Sequence, residues 1–352
     1  MPNRKLTVAI TGMNAKPDNP GPGLAVSRCL TESEDFSGRI VGLSYDALDP
    51  GLYLKDYCDT GYLLPYPSSG DDAFLDRLTA IHEKEHIDIF IPCLDAELPS
   101  IIRLNSVINE MGIKTFLPTA EQFRLRNKDK LVELSELAGI DCPRIEAITN
   151  ATFFYQCQDD NWSFPLVVKG LFYDARIVHN PEEATIAFKS IAAEWGFPVL
   201  VQQFVKGEEY NLTAVGDGKG NMIGAVMMKK MALTDKGKAW AGVTVLDEKL
   251  YDASHQLIKA LQWRGPLEVE VLKDTKGNYN LLEINPRFPA WIYLSHGVDR
   301  NLPLALIKLA MNEKPQQYNA LKPGIMFIRY AQEVVVPISK FESLIVNGVS
   351  DR

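Results

Sequence analysis

The sequence is poor in the features that mark secreted, membrane-spanning or nucleic-acid-binding chains. Its five cysteines (Cys29, Cys58, Cys93, Cys142, Cys157) are scattered, with no C-x-x-C pair. That argues against a paired-cysteine framework and suits a reducing cytoplasm, where a lone cysteine behaves as a small apolar side chain. No stretch approaches the roughly 20 apolar residues that cross a bilayer. The first residues, MPNRKLTVAITG, pass straight from a basic start into a strand-like run, without the apolar core and small-residue cleavage site of a signal peptide. A cytoplasmic protein without a membrane partner is the expectation. Positive charge is also short. The net charge of −8 speaks against a broad nucleic-acid footprint, so any anionic substrate needs cations gathered locally. Internal repeats and low-complexity tracts are absent. What remains is an ordinary globular composition, 46% hydrophobic and 23% charged, on a chain of 352 residues, long enough for two or three lobes.

The first third alternates strand-like and helix-like segments. Leu6–Thr11, Arg39–Ser44, Ile87–Pro92 and Thr115–Leu117 read as strands, and the segments from Leu24, Ala73–Lys84 and Ile101–Met111 as helices. This rhythm predicts a doubly wound parallel α/β sheet over residues 1–118. The rhythm then changes. Ala120–Ala138 has a long helical pattern, Phe164–Lys169 reads as a strand, and Pro181–Ala193 as a helix opened by its proline. Pro198–Phe204, Tyr210–Val215, Met222–Met228, Leu267–Leu272 and Tyr279–Ile284 read as antiparallel strands, joined at Gly216-Asp217-Gly218 and Thr275-Lys276-Gly277-Asn278. The expected organisation is an α/β lobe (1–118), then a two-lobed α+β region (119–315, dividing near 200), then a tail (316–352) packing on the core.

The most informative segment is LEVEVLKDTKGNYNLLEINPR, residues 267–287. Period-two geometry puts Glu268 with Glu270 on one face of the first strand, and Glu283 with Asn285 on one face of the second. A hairpin then brings Glu270 near Glu283, giving two carboxylates and an amide oxygen, hard ligands suited to Mg²⁺ bridged to phosphates. Arg287 adds a planar cation able to hold a phosphoryl group or a carboxylate. The bland alternative, a solvated acidic hairpin with Arg287 paired to one of its acids, is equally weighted when these residues are taken alone.

Glu283-Ile284-Asn285-Pro286-Arg287, with Glu270 one strand earlier, resembles the metal-binding signature of the ATP-grasp superfamily, in the branch of biotin carboxylase, carbamoyl-phosphate synthase and amide-forming ligases. Other segments follow the family order. Asn127-Lys128-Asp129-Lys130 is similar to its first lysine motif, and Phe164–Lys169 to its second. Val201–Val205 followed by Gly207-Glu208-Glu209-Tyr210 is similar to its hinge strand and ribose contact. The resemblance implies an ATP-dependent ligase that activates a carboxylate as an acyl phosphate and couples it to an amine. Small-molecule carboxylate and amine substrates are implied, and a homodimer is a class-level expectation. It further implies that Lys130 and Lys169 hold ATP phosphates, and that Glu270, Glu283 and Asn285 hold two Mg²⁺ ions, with Mn²⁺ able to substitute. Arg287 would stabilise the acyl phosphate. Gln202, Gln203 and Val205 would face the adenine, and Glu209 the ribose. The sequence departs from the pattern after Lys169, where a glycine-rich loop is replaced by Lys169–Arg176 with the single glycine Gly170; Arg176 is the candidate to supply charge there. Two other outcomes stay open: an ATP-binding regulatory protein with reduced turnover, and an enzyme transferring phosphate or carboxyl without forming an amide.

Other signals are weaker. His82-Glu83-Lys84-Glu85-His86 matches H-E-x-x-H but reads as a charged helix end without a third ligand. Thr11-Gly12 with Gly21-Pro22-Gly23 imitates a dinucleotide fingerprint at the wrong spacing, and Pro22 removes a donor. Asp95 and Glu97 follow a strand and either face a ligand or cap the next helix. Lys229 and Lys230 end a strand as an exposed pair or as cations for a phosphate. Trp291 and Tyr293 read as packing aromatics.

Overall fold

Short β-branched runs separated by helices build a parallel sheet at the start of the chain, in a computed structural model that describes residues 5–127, 130–170 and 174–350. In chain order these elements are β1 (Thr7–Ile10), α1 (Pro22–Thr31), β2 (Arg39–Ser44), β3 (Thr60–Leu63), α2 (Asp71–Glu85), β4 (Ile89–Ile91) and α3 (Leu98–Glu110). The strand order is β3-β2-β1-β4, all parallel, with Val8 facing Ile40 on one side and Ile89 on the other. Buried aliphatic and aromatic side chains from both strands and helices, among them Val41, Phe74, Leu78 and Ile101, form its core.

Two glycines set the loop after β1. Gly12 has φ +74°, and a Cβ on Gly23 would lie 1.8 Å from the Thr11 carbonyl oxygen, so the start of α1 packs directly on that loop. The Gly12–Gly23 pattern is therefore a close-packing device.

The backbone falls into two compact units. The larger comprises Met1–Arg124, Asn211–Val269 and Ile284–Arg352, the smaller Leu125–Tyr210 with Glu270–Glu283. Between them the units contain α4 (Ala120–Arg124), α5 (Leu131–Ala138), β5 (Ile145–Ile148), α6 (Phe153–Gln156), β6 (Leu166–Lys169), β7 (Ala175–Val178), α7 (Pro181–Trp195) and β8 (Val199–Gln203). The smaller unit holds an antiparallel sheet of order β5-β8-β6-β7. Helix α7 begins on a reciprocal cap: Asn180 Oδ1 accepts from the Glu183 N–H at 2.8 Å, and Glu183 accepts from the His179 N–H at 2.8 Å.

The remaining elements are β9 (Gly207–Asp217), β10 (Met222–Leu233), β11 (Ala239–Thr244), α8 (Glu248–Leu261), β12 (Arg264–Asp274), β13 (Tyr279–Asn285), α9 (Tyr293–Gly297), α10 (Leu302–Ala310), β14 (Met326–Ile328) and α11 (Ile338–Asn347). Six of them form a sheet of order β13-β12-β9-β10-β11-β14. The β12–β13 turn is fixed by Asp274, whose Oδ1 accepts from the N–H groups of Lys276 and Asn278 at 2.8 Å each.

The structure departs from the sequence reading at several places, three of which have a clear physical reason. Ala120–Ala138 forms two helices, α4 and α5; in the break the Asn127 backbone carbonyl accepts from the Lys130 N–H at 2.8 Å, an i→i+3 turn in place of a continuing helical bond. Thr115–Leu117 is not a strand: only Lys114 bridges to Ile89, and Pro118 has no N–H with which to extend the ladder. Strand β3 lies where none is expected, its short run interrupted by Gly61. Its outer edge is covered by the chain's end, with the Leu63 N–H donating to the Gly348 carbonyl at 3.0 Å and the Ser350 N–H to the Gly61 carbonyl at 2.8 Å. The tail also supplies β14, which pairs antiparallel with β11. Among the described residues no helix is long and apolar enough to cross a membrane.

Candidate active site

The EINPR segment closes β13 and enters the larger unit, where it meets Glu268 of β12. Glu268 is 4% exposed and its carboxylate is crowded with donors. Oε1 accepts from Asn211 Nδ2 and Trp291 Nε1, each at 2.7 Å, and Oε2 from Asn285 Nδ2 at 3.1 Å. Because an ionised carboxylate only accepts, the amide NH₂ of Asn285 must face Glu268 and its Oδ1 must face away. Arg287 Nη2 lies 3.5 Å from that Oδ1. The guanidinium is held further by Asp95 Oδ2 at 2.7 Å from Nε and by the Phe288 carbonyl at 3.3 Å from Nη1, with Glu268 Oε2 3.8 Å away. Trp291 is thus a packed aromatic, as its position suggested, whose N–H completes the Glu268 shell. Asn211 carries no signal in the sequence beyond its place after Gly207-Glu208-Glu209-Tyr210, and Glu268 reads there only as the outer partner of Glu270.

Asp95 and Glu97 follow β4, and neither side chain caps α3. Glu97, 2% exposed, turns back instead. It accepts from the Thr11 hydroxyl, from the Cys93 and Leu94 N–H groups at 2.9 Å each, and from the Tyr45 hydroxyl at 2.6 Å. Burial raises its carboxyl above the ordinary value near 4.5, against the lowering effect of those donors, and burial with the Glu97 charge also pushes the Tyr45 phenol up. A carboxyl raised on folding favours the folded state most below pH 4.5 and loses that contribution as pH rises through its folded value. The melting-temperature advantage of the native protein over Glu97→Gln is therefore expected to shrink from acid towards neutral pH. A pH-independent difference in thermal melts would contradict it.

In the smaller unit, Lys169 ends β6 and its Nζ donates to Gln202 Oε1 at 2.6 Å. Gln202 is 4% exposed on β8, opposite Val167. Its carbonyl oxygen, expected to read adenine, is here a partner of the lysine. The Gln203 N–H donates to the Arg144 carbonyl at 2.9 Å. Arg176 pairs across the sheet with Val168, so it lies on the face opposite Lys169. There it donates to Asp174 at 2.7 Å and to Ser190 Oγ of α7 at 3.1 Å, and the Asp174 bond raises its pKa. Arg176 is thus tied to the side of the sheet that carries Ser190 of α7. Leu171, Phe172 and Tyr173 of that loop lie outside the described residues, as do Lys128 and Asp129 of the first lysine motif. Lys130 sits at the start of α5 and pairs with Glu133 at 3.2 Å, a half-exposed pair of about 0.2–1 kcal/mol. Glu209 on β9, Glu270 on β12 and Glu283 on β13 are each partly buried.

The donors suit a hard cation. Among the described residues no cluster of three or more His, Cys, Asp or Glu side chains could hold a metal, and His82 and His86 are no exception. The candidates are instead two carboxylates and an amide oxygen whose orientation Glu268 enforces, the chemistry Mg²⁺ prefers. In the larger unit Asn211 Oδ1 is buried with no hydrogen-bond partner among the described residues. An orphan acceptor of that kind costs about 1–3 kcal/mol, and a cation or an ordered water satisfies it.

Residues 197–333 match the family model described as ATP-grasp in the biosynthetic pathway with Ter operon. Over those residues the chain matches an ATP-grasp domain. A carbamoyl phosphate synthase large chain of Clostridium botulinum (strain Alaska E43 / Type E3) is 23% identical over 199 residues, 53% of this chain and 18% of that protein, so the chain spans under a fifth of that relative's length. Among solved structures, biotin carboxylase from Campylobacter jejuni, in a β,γ-ATP complex, superposes with a TM-score of 0.70 at 18% identity, covering 91% of this chain and 74% of that one. L-amino acid ligase from Bacillus licheniformis gives a TM-score of 0.64 at 17% identity, covering 90% and 76%. The ATP-grasp fold thus covers nearly the whole chain, with the parallel α/β lobe preceding its antiparallel sheets.

Proposed function

We propose that this ATP-grasp protein is an ATP-dependent ligase that joins a small-molecule carboxylate to an amine, releasing ADP and phosphate. The observation that carries the reading is the oriented pair Asn285–Arg287, locked by Glu268 and Asp95 at the end of the EINPR segment. A carboxylate oxygen of the substrate attacks the γ-phosphorus, the bond to the ADP oxygen breaks, and an acyl phosphate forms. The amine nitrogen then attacks the acyl carbon, phosphate leaves, and the nitrogen loses a proton. Arg287, a planar donor already set in place, stabilises the charge on the transferring phosphoryl group and on the acyl phosphate. Lys169, oriented by Gln202, and Lys130 hold the nucleotide phosphates, and Glu209 and the segment around Val205 hold the nucleoside. Glu270, Glu283 and Asn285 would hold two Mg²⁺ ions, with Mn²⁺ able to substitute; Mg²⁺ supplies charge neutralisation at the phosphate oxygens. The work is assigned to the cytoplasm, with a homodimer as the expected assembly.

Amine–carboxylate pairs, amino acids first, are to be screened for phosphate release from ATP with Mg²⁺, with mass spectrometry of the products. Phosphate release that needs both partners and yields a condensed product is the expected result. ATP hydrolysis indifferent to either partner would remove the ligase reading. Lys169→Ala is expected to weaken ATP binding about tenfold, the scale of one charge-assisted hydrogen bond. An unchanged affinity in calorimetric titration would remove that role.

A further inference from the structure

The two acids after β4 do different work, and their geometry connects the parallel sheet to Arg287. The Glu97 carboxylate gathers the carboxyl ends of three strands: Thr11 follows β1, Tyr45 follows β2, and the Cys93 and Leu94 N–H groups follow β4. The Glu97 N–H also closes a turn onto the Leu94 carbonyl at 3.3 Å. Asp95 therefore sits within a turn pinned at both ends by the same buried residue. From that turn its Oδ2 takes the Arg287 Nε–H at 2.7 Å.

A guanidinium is planar, so two anchors on different edges fix its plane as well as its position. For Arg287 the Nε edge meets Asp95, and the Nη edge meets Asn285 Oδ1 and the Phe288 carbonyl. Glu268, the other carboxylate nearby, lies at 3.8 Å and already receives Asn211, Asn285 and Trp291, so it is a poor substitute for Asp95. Asp95 is the more accessible of the two carboxylates, with 21% of its side chain exposed against 5% for Glu268.

We infer that Asp95 is the positioning residue for Arg287, held in its turn by Glu97, so that the strand-end loops of the parallel sheet set the plane of the arginine that contacts the transferring phosphoryl group. In open parallel sheets those loops are where ligands bind. The role given to Arg287 rests on the ligase reading; the Asp95–Arg287 arrangement does not.

The test uses the full chain and two readouts. The first is the Arg287 Nε–H resonance in ¹H–¹⁵N spectra, assigned by its loss in Arg287→Lys. In the native protein it is expected to be shifted and protected from exchange, and in Asp95→Ala to move to the free-arginine position and exchange rapidly, with Asp95→Asn in between. The second is turnover. Asp95→Ala is expected to lower kcat about 10–100-fold, the range seen when a partner orienting a functional group is removed, with KM for ATP changed less than about twofold. In an Arg287→Lys background the same change is expected to cost less than about twofold more, because the two residues act as one unit. An unmoved, protected Nε–H signal in Asp95→Ala would overturn the inference, and so would equal losses of kcat in the two backgrounds. If Asp95→Ala does not fold, Asp95→Asn carries both readouts. If the native protein turns over no ATP with any pair of substrates, the ligase reading fails, while the resonance arm still decides the positioning of Arg287.

Discussion

Glu268→Ala is expected to destabilise the protein by about 3–5 kcal/mol, the usual cost of removing one partner from a buried charged cluster, and to abolish ATP turnover. The side chain is 4% exposed, and its two oxygens receive Asn211, Trp291 and Asn285 at 2.7, 2.7 and 3.1 Å. Truncation leaves three buried donors without an acceptor and places the Arg287 charge beside a cavity. It also removes the constraint that turns the Asn285 oxygen towards Arg287, so activity is expected to fall even in the fraction that folds. Urea denaturation reads the first effect and phosphate release the second. Glu268→Gln keeps the shape but offers an NH₂ towards donors, and should fall between. Native stability in Glu268→Ala would show that the cluster is solvated and that the geometry described for Asn285 is not enforced.

The second large effect is expected at Glu283. Glu283→Ala should lower turnover by about 10³-fold or more, corresponding to several kcal/mol of lost charge stabilisation at the phosphates, while leaving the fold intact. Glu283 is partly buried on β13, so truncation removes a ligand candidate without opening the core. Circular dichroism and melting temperature serve as controls, and the Mg²⁺ dependence of any residual turnover should shift to higher concentration. Retained turnover at ordinary Mg²⁺ would take Glu283 out of the metal set.

Much of this arrangement was legible in the sequence because it depends on local pattern. The βα rhythm of the first hundred residues gives β1, β2, β4 and the helices between them, and the alternation at 267–287 gives the β12–β13 hairpin and the face of Asn285. What was hidden depends on contacts between distant segments. Glu268 looks like a neighbour of Glu270 until Asn211 and Trp291, 57 and 23 residues away, are seen to close on it. Asp95 reaches an arginine 192 residues on, which no spacing rule anticipates. Strand β3 gives no clear pattern because Gly61 interrupts it, and its edge is completed by Gly348 and Ser350 from far along the chain. The face that Arg176 takes is hidden for a simpler reason. One residue of register decides which face of a strand a side chain takes, and its pairing with Val168 puts it with Ser190 of α7 rather than with Lys169.

The central claim is that a substrate carboxylate is activated as an acyl phosphate before an amine displaces the phosphate. The measurement that tests it most directly starts from the carboxylate partner found in the amine–carboxylate screen, labelled with ¹⁸O in both carboxyl oxygens. It is incubated with the protein, Mg²⁺·ATP and the amine, and the released phosphate is analysed by mass spectrometry. Activation as an acyl phosphate transfers one labelled oxygen to phosphate for each product molecule formed. Product accompanied by unlabelled phosphate would contradict the account.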